Sequence, residues 1–197
     1  MDQKLVHANI DIMTVMSHLR KMNGWESIGV QSLHRIFYLM KVLYSFNEKE
    51  HDNLFSEYEF SVTIFGPYSN LVYKSVIFLL SSQRLCGEVK GDLSLNSTDG
   101  VDEMSDEKIR WIDTILLILG KYGESKIFSF IINDPLYDVS VKSNQTSTIQ
   151  VTLENDTLLV LEDFKKAFEE TLSDTSTISK EEYISLYFDY IFSQIIS

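Results

Sequence analysis

Apolar residues recur through the first part of the chain at the three-and-four spacing of a helical face. Leu5, Ala8, Ile12, Val15, Met16, Leu19 and Met22 form one stripe, and Asn23-Gly24 closes it. A second stripe, Leu33, Ile36, Phe37, Met40, Leu43 and Tyr44, predicts a helix over about 30–44 with Gln31, Arg35 and Lys41 on its polar side. Residues 58–65 alternate polar and apolar side chains, the period of an extended strand, and run into Phe65-Gly66-Pro67-Tyr68. Pro67 disfavours helical geometry at Gly66 but suits a first helical turn. Gly66-Pro67 is therefore expected to be a tight turn, with the next helix starting at Tyr68 or Ser69 and running to about Gln83. That helix is apolar on most sides, as a core strut would be. Leu85 to Lys90 and Leu93 to Asn96, around Gly91-Asp92, predict a short β-hairpin.

In the second half, Ser105 with Asp106 and Glu107 opens a helix carried by Ile109, Ile112, Ile115, Leu116 and Leu119, which stops at Gly120-Lys121-Tyr122-Gly123. A shorter helix over 124–132 ends before Asn133-Asp134-Pro135. Residues 138–157 are rich in Ser, Thr, Asn and Asp, with 148–153 a candidate strand, and a helix follows over about 155–172. Ser179 and Glu182 form a capping box for the last helix, and Ile178 is placed to staple onto Tyr183. This helix is apolar almost all round. Two arrangements fit it: a fully buried closing helix, or one buried stripe with another, including Phe188, Phe192 and Ile195, turned to a partner.

Helix, turn, helix, hairpin is the order of a winged helix-turn-helix. The fold class is therefore mainly α (α+β): a winged-helix-like module over 1–100, and a helical region over 101–197 joined with it in one compact unit.

With 197 residues, 44% of them hydrophobic and only two prolines, the chain can bury a core without covalent staples. Cys86 is the single cysteine, which excludes an internal disulfide and suits a reducing cytosol. No apolar segment of signal-peptide type follows Met1-Asp2-Gln3-Lys4. The longest aliphatic or aromatic runs, 76–80 and 115–119, fall far short of the roughly 20 residues of a membrane helix. A cytoplasmic location is expected. Net charge is −12, unevenly spread: residues 1–45 carry five basic against three acidic side chains, leaving −14 on the remainder. Such a body repels phosphate, so nucleic acid would be met through the N-terminal helices or through a partner.

Candidate chemistry is sparse. His7 and His18 share a helical face but are about 16 Å apart at helical rise, too far to share a metal ion. His34 and His51 have no partner at ligand spacing. Glu88-Val89-Lys90 has the E-x-K spacing of a metal-dependent nuclease half-site, with Asp52 as the nearest candidate carboxylate, but the supporting α/β core is lacking. Asp134 and Asp138 specify no reaction. No catalytic, cofactor or metal site is expected. The recognition-helix slot at 68–83 offers Lys74 alone as a cation, with Arg84 and Lys90 nearby, which favours protein docking over base reading.

A family resemblance adds to this. The run from Leu33 to Tyr44, then Phe65-Gly66-Pro67-Tyr68-Ser69 and Leu71-Val72-Tyr73, then the hairpin, resembles the middle components of bacterial ABC-type three-component (Lamassu-like) defence systems. More distantly it resembles the Panacea (SocA-like) antitoxin domain. Leu119-Gly120-Lys121-Tyr122-Gly123, Phe128 to Ile132 and Asp134-Pro135-Leu136-Tyr137 extend the likeness over roughly residues 30 to 140. The resemblance implies a non-catalytic adaptor bridging an SMC/Rad50-like coiled-coil ATPase and an effector nuclease, with DNA reached only through the complex. An antitoxin that docks its toxin, and a winged-helix DNA-binding regulator, are the alternatives. Phe65, Gly66, Pro67, Tyr68, Phe188, Phe192 and Ile195 are the expected partner-binding residues.

Overall fold

The first helix begins where the Asp2 carboxylate accepts the backbone N–H of Lys4 at 3.1 Å, satisfying one of the donors that a helix start leaves open. The structure, a computed structural model, describes residues 2–47, 52–96, 104–143, 148–152, 154–172 and 177–195. Helix α1, Gln3–His18, widens at its end into a π-helical turn, Leu19–Asn23, so the helix expected to reach Met22 is irregular over its last turn. Strand β1, Ser27–Gly29, follows and leads straight into α2, Val30–Asn47. Next come β2, Ser61–Thr63, and β3, Gly66–Tyr68, then α3, Asn70–Ser81, then β4, Leu85–Gly87, and β5, Asp92–Leu95. The second half is helical: α4, Asp106–Gly120; α5, Glu124–Ile132; α6, Pro135–Lys142; α7, Asp156–Thr171; and α8, Lys180–Ile195.

The fold is mainly α with small antiparallel sheets, and its first half is winged-helix-like. β1, β5 and β4 form a three-stranded sheet in that order, with Ile28 opposite Leu93 and Gly87 opposite Leu93 on the other side. The sequence pattern found the β4–β5 hairpin but missed β1, which is too short to show a period. The strands are also shorter than the pattern suggests. Glu88, Val89 and Lys90 lie in the connecting loop, so the E-x-K triplet is not on a strand.

The largest correction concerns Gly66-Pro67. These residues are not a turn leading into a helix: they are the second strand of a hairpin, Val62 pairing with Pro67 and Thr63 with Gly66. The reversal is made by Ile64-Phe65, and α3 starts at Asn70, one or two residues beyond the expected Tyr68 or Ser69. Two-residue hairpins usually place positive φ at their central residues. Here Ile64 and Phe65 keep negative φ, and Gly66 takes φ +111°. The glycine therefore supplies the handedness that the Ile-Phe pair does not.

Asp134 corrects the reading of the next segment. Asn133-Asp134-Pro135 ends α5 as expected, but Asp134 then caps a further helix, α6, accepting the Tyr137 N–H at 2.9 Å with Pro135 in its first turn. Of the candidate strand 148–153, Thr148 makes one isolated bridge to Ser61, and the Ile149 N–H donates to the Phe60 carbonyl at 2.6 Å; Leu153 lies outside the described residues, as does His51. The capping box of α8 forms as read: Ser179 N–H donates to Glu182 Oε2 at 2.7 Å, and Glu182 N–H to Ser179 Oγ at 3.2 Å.

Buried apolar residues of both halves belong to one cluster centred on α2, whose inward positions run from Val30 to Phe46 around most of the helix. Polar ties cross it. Trp111 Nε1 donates to the Met40 carbonyl at 2.9 Å. Asp11, buried on α1, accepts from Lys108 Nζ at 2.7 Å and from the Tyr58 hydroxyl at 2.6 Å. Asp134, also buried, has no cation paired with it among the described residues; it accepts from the Tyr38 and Thr157 hydroxyls, each at 2.6 Å, as well as its capping bond. Burial raises its carboxyl pKa, against the pull of those three hydrogen bonds. These ties place the β2–β3 hairpin rigidly on the body, because Tyr137 of α6 donates its hydroxyl to the Thr63 carbonyl at 2.9 Å.

Candidate partner-docking surface

Ile64 and Phe65, the tip of the β2–β3 hairpin, are 86% and 57% exposed. Large apolar side chains exposed side by side are candidates for a contact surface, and Leu159 and Val160 of α7, 54% and 42% exposed, are another such pair. The Phe65 backbone, by contrast, is engaged at both its N–H and its carbonyl. Thr63 Oγ1 donates to the Gly66 carbonyl at 2.7 Å and accepts the Phe65 N–H at 3.2 Å. Arg35 of α2 donates to the Phe65 carbonyl from Nε at 3.2 Å and from Nη2 at 2.7 Å.

Arg35 is itself held. Its guanidinium lies 4.5 Å over the Phe128 ring of α5, a cation–π contact, and burial lowers its pKa while Glu124 and Tyr137 act in the opposite sense. Beneath the tip, Gly66 sits so close to this side chain that an added Cβ would lie 3.3 Å from Arg35 Nε and 3.8 Å from Ile131 Cγ2. Gly66 and Pro67 are buried and Tyr68 is half-buried, its ring stacked on His34 at 4.9 Å. Of the four tip residues expected to meet a partner, Phe65 is the one that projects; the other three build its pedestal. Ile64, which the sequence reading left aside, is the more exposed neighbour. Its signal was present as an Ile-Phe pair between a strand pattern and Gly-Pro.

Phe188, Phe192 and Ile195 lie elsewhere. Phe188 is 2% exposed, with its ring 4.8 Å from Phe130; Phe192, partly buried, sits 4.8 Å from the Tyr122 ring; and Ile195 rests on the core. The Tyr122 hydroxyl donates to Asp189 at 2.5 Å, fixing α8 against the α4–α5 corner. Helix α5 keeps the two groups of residues apart: Phe128 faces Arg35, and Phe130, two positions on and so on the opposite side of the helix, faces Phe188. The α8 residue that does project is Tyr190, 51% exposed.

The remaining candidates are structural in placement. His7 faces Glu57 at 3.6 Å, and His18 pairs with Asp113, joining the end of α1 to α4. His34 is buried, accepting the Ser69 N–H on Nδ1 at 3.1 Å. Among the described residues no group of three or more His, Cys, Asp or Glu side chains is arranged to hold a metal ion, and no helix is long and apolar enough to cross a membrane. Cys86 is exposed on β4. No family model, curated protein or solved structure matches the chain.

Proposed function

We propose that this chain is a non-catalytic adaptor of the cytoplasm. It links an SMC/Rad50-like coiled-coil ATPase to an effector nuclease in a complex that defends against phages and plasmids, as the resemblance of residues 30 to 140 implies. The observation that carries the reading is the pinned hairpin tip, where Ile64 and Phe65 project from a backbone already locked by Thr63 and Arg35. Order before contact lowers the entropic cost of docking. The charge of −12 supports the same reading, since it leaves DNA to be met by a more basic partner. Co-expression with the products of neighbouring genes, followed by affinity purification, tests it. The expected result is a ternary complex that the Ile64→Ser/Phe65→Ser double variant loses while staying folded. A monomer that ignores both partners would end the proposal.

A second reading, a winged-helix DNA-binding regulator, is favoured by the β1–β5–β4 sheet. The outward face of α3 gives it little to read with: Asn70, Lys74, Ile77 and Ser81 are its exposed positions. Salt-resistant, sequence-selective gel shifts by the isolated protein would establish it. Growth rescue from an adjacent toxin gene would instead point to the antitoxin role.

A further inference from the structure

More than half of the net charge of −12 falls at the end of the chain: from residue 154 onward ten acidic side chains stand against three basic ones. Helices α7 and α8 carry most of them. The two helices run antiparallel, because the Phe164 ring meets Tyr187 and Tyr190 while Phe168, one turn later, meets Tyr183. Part of their outer face is apolar. Leu159, Val160 and Tyr190 are each about half exposed. Val160 and Phe164 lie one turn apart on the same face of α7, and the Phe164 ring centroid is 5.7 Å from that of Tyr190. These side chains therefore form one surface that spans both helices.

The charges that the two helices place around this surface have one sign. Glu154, Asp156, Glu162 and Asp163 flank Leu159 and Val160 in the chain, Asp189 precedes Tyr190, and no Lys or Arg occurs from 154 to 164 or from 185 to 195. Asp189 is engaged by the Tyr122 hydroxyl, whereas Asp163 is exposed on α7. The two lysines of α7 come after the patch. Lys165 turns to Glu169, at 3.8 Å, and lies 5.7 Å over the Tyr183 ring. Lys166 has Glu162, Asp163, Glu169 and Glu170 at helical neighbour spacing. Such a face repels nucleic acid and anionic lipid and attracts a cationic chain. The hairpin tip, seated on Arg35, has the opposite setting.

We propose that the α7–α8 face docks a basic amphipathic helix of a partner protein. Apolar side chains at i, i+3, i+4 and i+7 of that helix cover Leu159, Val160, Phe164 and Tyr190, and its Lys or Arg residues lie along the carboxylates of the rim, Asp163 foremost. A third helix laid on an antiparallel pair packs ridges into the groove between them. An adaptor that joins two partners needs two faces. The proposal rests on the adaptor reading above and adds to it the second face and the chemistry of what it takes.

The test uses the full chain, labelled with nitrogen-15, and an acetylated, amidated peptide of three Leu-Lys-Ala-Leu-Ala-Lys-Lys heptads, beside a second peptide in which every Lys is Glu. The basic peptide is expected to shift backbone amide resonances of α7 and α8, and the acidic one to leave them in place. Leu159→Ser/Val160→Ser is expected to weaken the basic peptide about tenfold, and Asp163→Lys to weaken it and flatten its salt dependence. Ile64→Ser/Phe65→Ser is expected to leave it unchanged. All these positions are exposed, so circular dichroism is expected to stay as in the wild type. Equal binding of the two peptides, shifts confined to other parts of the molecule, or undiminished binding by the α7 double variant would each overturn the proposal. Co-purification can still succeed through the hairpin tip in that event, and can fail while the peptide binds, so the two readings are told apart.

Discussion

The two hairpins of this protein solve opposite problems. The β4–β5 wing has a polar loop, Glu88 to Gly91, and is held by its neighbour β1 in a three-stranded sheet. The β2–β3 hairpin has only a two-stranded ladder and an apolar tip, so its order comes from side chains of α2 and α6, through Arg35 and Tyr137. The difference teaches where each can change. The wing is fixed by backbone against backbone, whereas the tip is fixed by backbone against flexible side chains, leaving its own side chains free for recognition.

Substitution of the hairpin glycines tests that contrast most severely. At Gly87, φ +125°, an added Cβ would fall 2.0 Å from the Asp92 carbonyl oxygen, a backbone atom that can yield only by breaking the sheet. Gly87→Ala is expected to cost about 3 kcal/mol or more in urea unfolding. Gly66→Ala faces the movable Arg35 side chain and is expected to cost about 1–2 kcal/mol. Equal losses at the two sites would remove the distinction.

His34 stands between the hairpins and gives the contrast a pH dependence. Its pKa falls from 6.5 to about 4 on folding, so in that interval the unfolded chain binds a proton that the folded chain does not. Stability from this residue is complete above pH 6.5, declines as pH falls, and is lost by about pH 4, a change of about 3 kcal/mol. Asp134 acts with the opposite sign, because its raised pKa favours the folded state as pH falls. The difference between wild type and His34→Gln in denaturation from pH 7.5 to 4 therefore isolates the histidine, and a parallel pair of curves would refute the assignment.

Smaller effects sharpen the account of the tip. Arg35→Met removes two hydrogen bonds to Phe65 and the contact with Phe128; a loss of about 1–2 kcal/mol is expected, with faster amide exchange at Phe65. Ile64→Ser and Phe65→Ser are expected to change stability by less than about 0.5 kcal/mol, because both side chains already face water. A larger loss measured by thermal melting would mean that the tip is structural.

The long helices were legible because stripes such as Leu33, Ile36, Phe37 and Met40 repeat over several turns and because Ser105, Asn155 and Ser179 are unambiguous starts. Short elements had no room for a period: β1 has three residues and α6 eight, and α6 begins at a Pro that equally marks an end. The β2–β3 reversal was hidden because Ile-Phe is not a turn pair, and its handedness is displaced onto Gly66. The exposed tip was half visible. Phe65 was named, but what pins it, Arg35 at 30 residues' separation, is a tertiary fact that no local pattern contains. The aromatic run in α8 was read as a choice between core and interface, and Phe188 now lies in the core while Tyr190 projects.

The lock that Arg35 and Thr63 place on the Phe65 peptide group has a further consequence for substitution. With its carbonyl and N–H both taken, the tip offers no free strand edge at Phe65 to template misassembly with a sister molecule. Its two projecting side chains can then be substituted while the scaffold beneath them stays as it is.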